Sequence, residues 1–180
     1  MKRGVIKTTY LRFALGVSSS GIFQPMTAPA QGTTQYTRTG DLIKLGDLQF
    51  NYLATYGDAV GNPMRIVIFQ TVGGFAPTAL SDLFAFGGTG SEDVTSQFLP
   101  NLIGRKIHLL YDEFLVMNPN GSNGNTVRRG WLKPKIPEVE YNAGTTTAAN
   151  GNIYCVALTD SAAIPHPGLD MSIEIPFTDA

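Results

Sequence analysis

The chain has 180 residues, 43% of them hydrophobic, with 13 Lys and Arg against 14 Asp and Glu. That length is ordinarily one domain with room for a real core. It holds no apolar run long enough to cross a bilayer, and no leader-like apolar block with a small-residue cleavage site follows Met1-Lys2-Arg3. The single cysteine, Cys155 in the apolar run IYCVAL, excludes an intrachain disulfide, gives no sign of an oxidising compartment, and reads as a buried thiol rather than a nucleophile.

Gly, Pro and Asn-Gly pairs punctuate segments rich in Val, Ile, Leu, Phe, Tyr and Thr, which is the pattern of an all-β protein. The first strand is predicted in VIKTTYLRFALGV (5–17). There Val5, Leu11, Phe13, Leu15 and Val17 are apolar at odd positions, while Lys7 and Thr9 interrupt the row. After a turn at Ser18–Gly21, IFQPMTAP (22–29) is extended, and Pro25 and Pro29 assign it to a sheet edge or an arm.

In QYTRTGDLIKLGDLQFNYLATYGD (35–58) the apolar positions change phase. Ile43 and Leu45 are odd, whereas Leu48, Phe50 and Tyr52 are even. Gly46-Asp47 at the changeover predicts a β-bulge, with Arg38 and Asp41 ahead of it as a turn and ion-pair anchor. Such a switch suits a strand that leaves one face of a sandwich to touch a neighbour.

MRIVIFQ (64–70) is apolar on both faces, as in a strand covered on both sides. A Gly-rich insertion, 72–101, follows. Within it SDLFAF and SEDVTSQFL each predict a helical turn, capped by Ser81 and Ser91, and loops this long are ordinarily functional or pack against a partner.

IGRKIHLLYDEFLVMN (103–118) and TVRRGWLKPKIPEVEYN (126–142) are two strands joined by the turn-rich tip NPNGSNGN, with Pro134 and Pro137 placing the second at an edge. NIYCVALTD (152–160) is a buried strand. MSIEIPFTD (171–179) alternates, with Met171, Ile173, Ile175 and Phe177 turned inward. Eight extended segments with no internal repeat predict an all-β, eight-stranded antiparallel sandwich. The lack of a Cys-Trp-Cys framework favours the jelly roll over the immunoglobulin-like fold. Residues 1–17 are then a basic N-terminal segment running into the first strand. Residues 18–180 are a single jelly-roll domain with long loops at about 72–101 and 118–126.

The near-zero net charge hides an asymmetry. Lys2, Arg3, Lys7, Arg12 and Arg38 occupy the first forty residues with no acid, and Arg128, Arg129, Lys133 and Lys135 form a second acid-free group. If the two groups face one side they make a positive surface suited to phosphates; otherwise they are ordinary solvated strand residues. Trp131 lies among the second group. It reads first as a core or interface residue, and second as a platform for stacking bases between cations. Tyr10, Arg12 and Phe13 raise the same pair of readings. The candidate nucleic-acid-binding set is Lys2, Arg3, Lys7, Arg12, Arg128, Arg129, Lys133, Lys135 and Trp131.

Enzyme patterns fail. GVSSSG has the wrong spacing for a nucleophile elbow, FGGTGSED lacks the Gly-Lys-Ser/Thr of a phosphate loop, and no metal-ligand spacing of Cys or His occurs. His108 sits in a strand pattern and His166 between Pro165 and Pro167, which points to structural roles. Asp112 and Glu113, adjacent on a strand, point to opposite faces and make no acid–base pair. Glu92 and Asp93 could join a neighbour's carboxylates around Ca²⁺, but two loop acids more often stay solvated. Asn120-Gly121-Ser122 matches a glycosylation triplet without other sign of a secretory route. No cofactor or metal is implied, and the chain reads as a non-enzyme.

The order of motifs carries a resemblance. GIFQPMTAPAQGTTQYTRTGDLIKLGDLQFNYLA, a Gly-Asp break, NPMRIVIFQ, PTALSDLF and RKIHLLYDEFLVM follow one another. Within them Gln31-Gly32, Arg38, Gly40-Asp41 and Ile43 precede Arg65 in the strand ending IFQ. Over roughly residues 18–160 this resembles the capsid proteins of small, circular, Rep-encoding single-stranded DNA viruses and related satellite-virus-like single jelly rolls.

The resemblance implies a coat protein that self-assembles, as sixty copies in a T=1 icosahedral shell, around a single-stranded genome. It implies a virion location, assembly in the host cell and its nucleus, and a host receptor it does not identify. It also implies that the Arg38–Ile43 stretch leads into strand C, and that 64–70 and 106–113 are strands D and E. That family's members carry a long basic arm, whereas here only Lys2, Arg3, Lys7 and Arg12 precede the sandwich. Either an arm has been removed, the genome is held by the inner face itself, or packaging is absent. A jelly-roll carbohydrate-binding lectin or module is the alternative, for which the single Trp is a poor start, and an adhesion subunit is weaker still.

Overall fold

The computed structural model describes residues 5–26, 29–58, 61–85, 93–118, 124–143, 145–146, 148–162 and 164–180. Ten strands run in chain order: β1 (Lys7–Gly16), β2 (Ile22–Pro25), β3 (Leu42–Leu45), β4 (Leu48–Thr55), β5 (Asn62–Thr71), β6 (Ile107–Met117), β7 (Thr126–Leu132), β8 (Glu138–Glu140), β9 (Ile153–Thr159) and β10 (Gly168–Asp179). β10 is the hub of the first sheet. It pairs with β1 along the whole of β1, and on its other side with β4 and β3, which pair in turn with β7 and β8. The second sheet has the order β2-β9-β5-β6, and all pairings between strands are antiparallel.

β3 and β4 are halves of one strand, as are β7 and β8, so ten pieces make eight. With those eight counted in sequence, the sheets read first-eighth-third-sixth and second-seventh-fourth-fifth, which is the jelly roll. One expectation shifts. Counted from β1 as strand B, the 42–55 stretch is strand D, β5 is strand E and β6 is strand F, one letter later than the resemblance implied. The short β2 takes the C position beside β9.

The phase change is a bulge. Leu45 pairs with Phe177 and Gln49 with Glu174, so three residues, Gly46, Asp47 and Leu48, stand opposite two, Ile175 and Pro176. The N–H of Gly46 donates to the Pro176 carbonyl at 2.8 Å. In an antiparallel ladder a residue's N and O point the same way, so the N–H that Pro176 lacks is missing where the ladder is already broken. The bulge does not send the strand to a neighbour. Ile43, Leu45, Leu48, Phe50 and Tyr52 all enter one core between the sheets, with Ile66, Ile68, Cys155, Ile173 and Phe177. An extra residue restores an inward face that the sequence would otherwise lose halfway along.

β5 is buried on both faces, as its composition predicts, and the second cover is the chain's own insertion. Val67 and Phe69 on its outer side pack with Leu80, Leu83, Phe84, Val94 and Leu102. A 3₁₀ turn at Leu80–Asp82 starts that cover. Ser81 lies inside the turn; the N-cap position is Ala79, and the Asp82 carboxylate at the third position of the turn reaches back to accept from the N–H groups of Thr78 (2.8 Å) and Ala79 (3.0 Å). Ser91 lies outside the described residues.

Arg65 of β5 pins the insertion. Its guanidinium binds Asp112 through two bonds of 2.8 and 2.7 Å, donates to the Ser96 carbonyl at 2.6 Å, and lies 5.0 Å from the rings of both Phe84 and Phe98. Buried Arg38 does similar work before the bulge. It bonds Asp41 at 2.9 Å, donates to the carbonyls of Gly40 and Thr145, and lies over Tyr141.

Candidate nucleic-acid interface

The outward face of the first sheet brings the two basic segments together. Its register sets Tyr10, Glu174, Gln49 and Trp131 in one row across β1, β10, β4 and β7. The next row is Arg12, Ser172, Asn51 and Arg129, and the one after is Ala14, Asp170, Leu53 and Val127. At about 4.8 Å per strand, the ends of a row lie about 14 Å apart.

Sharing a face does not leave the charges free. Arg12 makes two bonds to Asp170, at 3.1 and 2.8 Å, which raise the guanidinium pKa and lower that of the carboxyl. Lys7 and Arg128 point the other way. Lys7 reaches Asp179 at 2.6 Å and the Thr37 carbonyl at 2.9 Å. Arg128 donates to Glu113 at 3.0 Å. Lys2 and Arg3 lie outside the described residues.

The second segment keeps exposed cations. From β7 into the break before β8, Arg129, Trp131, Lys133 and Lys135 are exposed, while Leu132 and Pro134 are buried and Ile136 half-buried. This period of two puts the four exposed side chains along one edge. Among the described residues no ion pair is formed by Arg129, Lys133 or Lys135. Trp131 is 67% exposed and therefore no core residue. The Gln49 side-chain amide lies against Arg129, and with its oxygen turned toward the guanidinium, the orientation that satisfies both groups, it accepts from Nε at 2.7 Å. Gly130 between them is required by packing: a Cβ there would stand 2.6 Å from the buried Phe50 ring.

The strand break is fixed by a residue that sequence reasoning passed over. Gln70 of β5, fully buried, accepts from the N–H groups of Lys135 (3.0 Å) and Ile136 (2.8 Å) and donates to the carbonyls of Ile136 (2.7 Å) and Gly151 (3.1 Å). Each polar atom of its amide is used, so the segment carrying Lys133 and Lys135 is tied to the second sheet. The signal was a lone polar residue closing the apolar run MRIVIFQ.

Asp112 and Glu113 separate as expected, Asp112 to Arg65 and Glu113 into the opening between the sheets. There Tyr52 and Tyr111 donate their hydroxyls to Glu113 beside Arg128. Burial pushes the Glu113 carboxyl upward, but these hydrogen bonds outweigh it and hold the carboxyl below its ordinary value. Burial and the same carboxylate push Tyr111 up to about 12 and raise Tyr52 as well.

Just outside this cluster β6 and β7, edge strands of different sheets, flank a cleft of about 340 Å³ lined by Glu113–Val116 and Asn125–Arg128. Phe114, Val116 and Val127 on its rims are 51%, 55% and 68% exposed.

Asp93 satisfies its own turn, accepting from the N–H and hydroxyl of Thr95, both at 2.8 Å; Glu92 lies outside the described residues, as does Asn120-Gly121-Ser122. Among the described residues no three His, Cys, Asp or Glu side chains gather as a metal site, and no helix is long and apolar enough to cross a membrane.

No family model and no curated protein sequence matches the chain. Among solved structures, a chain of Desmodium yellow mottle tymovirus is similar at a TM-score of 0.45 and 9% identity, over 99% of this chain and 90% of that chain.

Proposed function

We propose that the chain is a viral coat protein, a structural protein whose copies self-assemble into a small icosahedral shell, sixty in a T=1 arrangement, around a single-stranded genome. Residues 18–180, completed by the first strand from the 1–17 segment, make the one building block. The observation that carries this reading is the jelly-roll strand order closed on one side by its own insertion, with apolar residues left bare on the edges. Phe114, Val116 and Val127 line two neighbouring edge strands, and the unpaired ladder groups of such edges are suited to burial against another copy.

Size-exclusion chromatography followed by negative-stain microscopy of the purified protein tests it. Uniform closed particles are expected, with an absorbance ratio at 260 and 280 nm that reports enclosed nucleic acid. Phe114→Asp with Val116→Asp, at exposed positions, is expected to leave the fold intact by circular dichroism and reduce particles to background. A stable monomer that binds immobilised sugars would overturn the coat reading in favour of a carbohydrate-binding module.

A further inference from the structure

We infer that the exposed edge stripe Arg129, Trp131, Lys133 and Lys135 is a contact for single-stranded nucleic acid, with bases stacking on the Trp131 indole and phosphates held by the three cations. The inference rests on the coat-protein reading only for the source of the strand, the enclosed genome.

Four features converge on it. The stripe sets Trp131 between Arg129 and Lys133 with Lys135 beyond; Arg129 and Trp131 stand at the two-residue repeat of β7, about 6.8 Å, and the exposed–buried alternation carries on past its end through Lys133 and Lys135, so successive side chains can follow an extended polynucleotide. Its cations are free of ion pairs among the described residues, unlike Lys7, Arg12 and Arg128, whose charges are spent on Asp179, Asp170 and Glu113. The Asn51 amide and the amide NH2 of Gln49, whose oxygen faces Arg129, stand in the neighbouring strand directly opposite Arg129 and Trp131, where they can meet base edges. Finally, acids confine the path. Glu174 lies on the same face two strands inward, with Asp170 beside it already neutralised by Arg12, and the exposed Glu138 and Glu140 lie beyond Lys135, so phosphates gain nothing at the sheet centre, are repelled from the far end and are kept to the edge. Duplex fits poorly, because its bases are already stacked and cannot reach the indole.

The protein carries one Trp, so its emission reports on this site alone. The full chain is titrated with a twenty-nucleotide oligothymidylate and with a duplex of the same length across a salt series. The single strand is expected to quench emission, with a slope of log K against log salt of about −2, as for three phosphate contacts. Lys133→Gln with Lys135→Gln should flatten that slope to about −0.7, as for the one contact left. Trp131→Ala, followed by anisotropy of labelled oligonucleotide, should weaken binding about tenfold or more, whereas Trp131→Phe retains most of it. Arg12→Gln and Arg128→Gln should bind as the parent does.

Equal quenching by duplex, an unchanged slope in the double Lys variant, or a folded Trp131→Ala protein that binds like the parent would overturn the inference. So would quenching by soluble sugar, or by raised protein concentration without oligonucleotide, which would assign the edge to a glycan or to a second copy. Sedimentation of the same samples separates the two readings. Shells without strand binding remove this inference and leave the coat reading; strand binding without shells does the reverse.

Discussion

Asp179, near the end of β10, shows how one carboxylate sets the acid limit of the fold. Burial opposes its ionisation, but bonds from Lys7 and from the Thr39 N–H and hydroxyl prevail and hold its pKa at about 2, against an ordinary 3.8. A depressed folded pKa contributes stability that is complete above the unfolded value and disappears as the pH falls through the folded one. The urea midpoint is therefore expected to fall between about pH 4 and pH 2 in the parent. Asp179→Asn should lower stability by about 2 kcal/mol at pH 7 and by almost nothing at pH 2. Arg65 makes a second residue-scale case. Arg65→Ala leaves Asp112 and the Ser96 carbonyl without their donor, at a cost of about 3 kcal/mol in urea unfolding. Arg65→Lys should recover less than half, because an ammonium cannot span the carboxylate and both rings. Neither pairing was legible in the sequence. Lys7 and Asp179 stand at opposite ends of the chain, and nothing local distinguishes Arg128, which turns inward, from Arg129, which turns out; only the register of β7 against β4 decides.

Elements were more readable where their signal is a period. The alternation in 42–55 located the bulge at Gly46-Asp47, within the three residues that form it, and the double-sided apolarity of 64–70 foretold a strand covered on both sides. What period could not tell was destination. The sequence suggested that the bulge turns a strand outward and that the 72–101 insertion awaits a partner, whereas both bury apolar surface within the same molecule. Deleting Asp47 should be severe for that reason. It closes the bulge and forces either Ile43 and Leu45 or Leu48 and Phe50 to the solvent face, and the variant is expected to lose its cooperative urea transition. Gly46→Ala, whose Cβ would lie 3.1 Å from the Pro176 ring, should cost only about 1 kcal/mol. Gln70→Leu removes the side chain that ties Lys135 and Ile136 of the β7–β8 break to Gly151 and leaves those backbone groups unpaired. A loss of about 3 kcal/mol is expected, with faster amide exchange at Lys135 and Ile136.

At the scale of the molecule the two sheets are unequally dressed, one roofed by the chain's own insertion and the other open across β1, β10, β4 and β7. Amide exchange should be slowest in β5 and β9, which lie under the roof and between paired strands, and fastest in β1 and β7, which have a free edge. Cys155 belongs to β9 and lies fully enclosed between the sheets, where burial pushes its thiol up to about 12. A disulfide reagent in the surrounding buffer can reach that sulfur only when the sandwich parts, so its rate of reaction becomes a clock for global opening. Labelling at the pace of β5 amide exchange is the expected result, and labelling at the pace of β7 would mean that the sheets separate from the bare side first. The same thiol also offers a safeguard. If copies pack together as proposed above, the assembly should slow the clock relative to free subunits, which turns one buried sulfur into a measure of how firmly neighbours hold a sandwich shut.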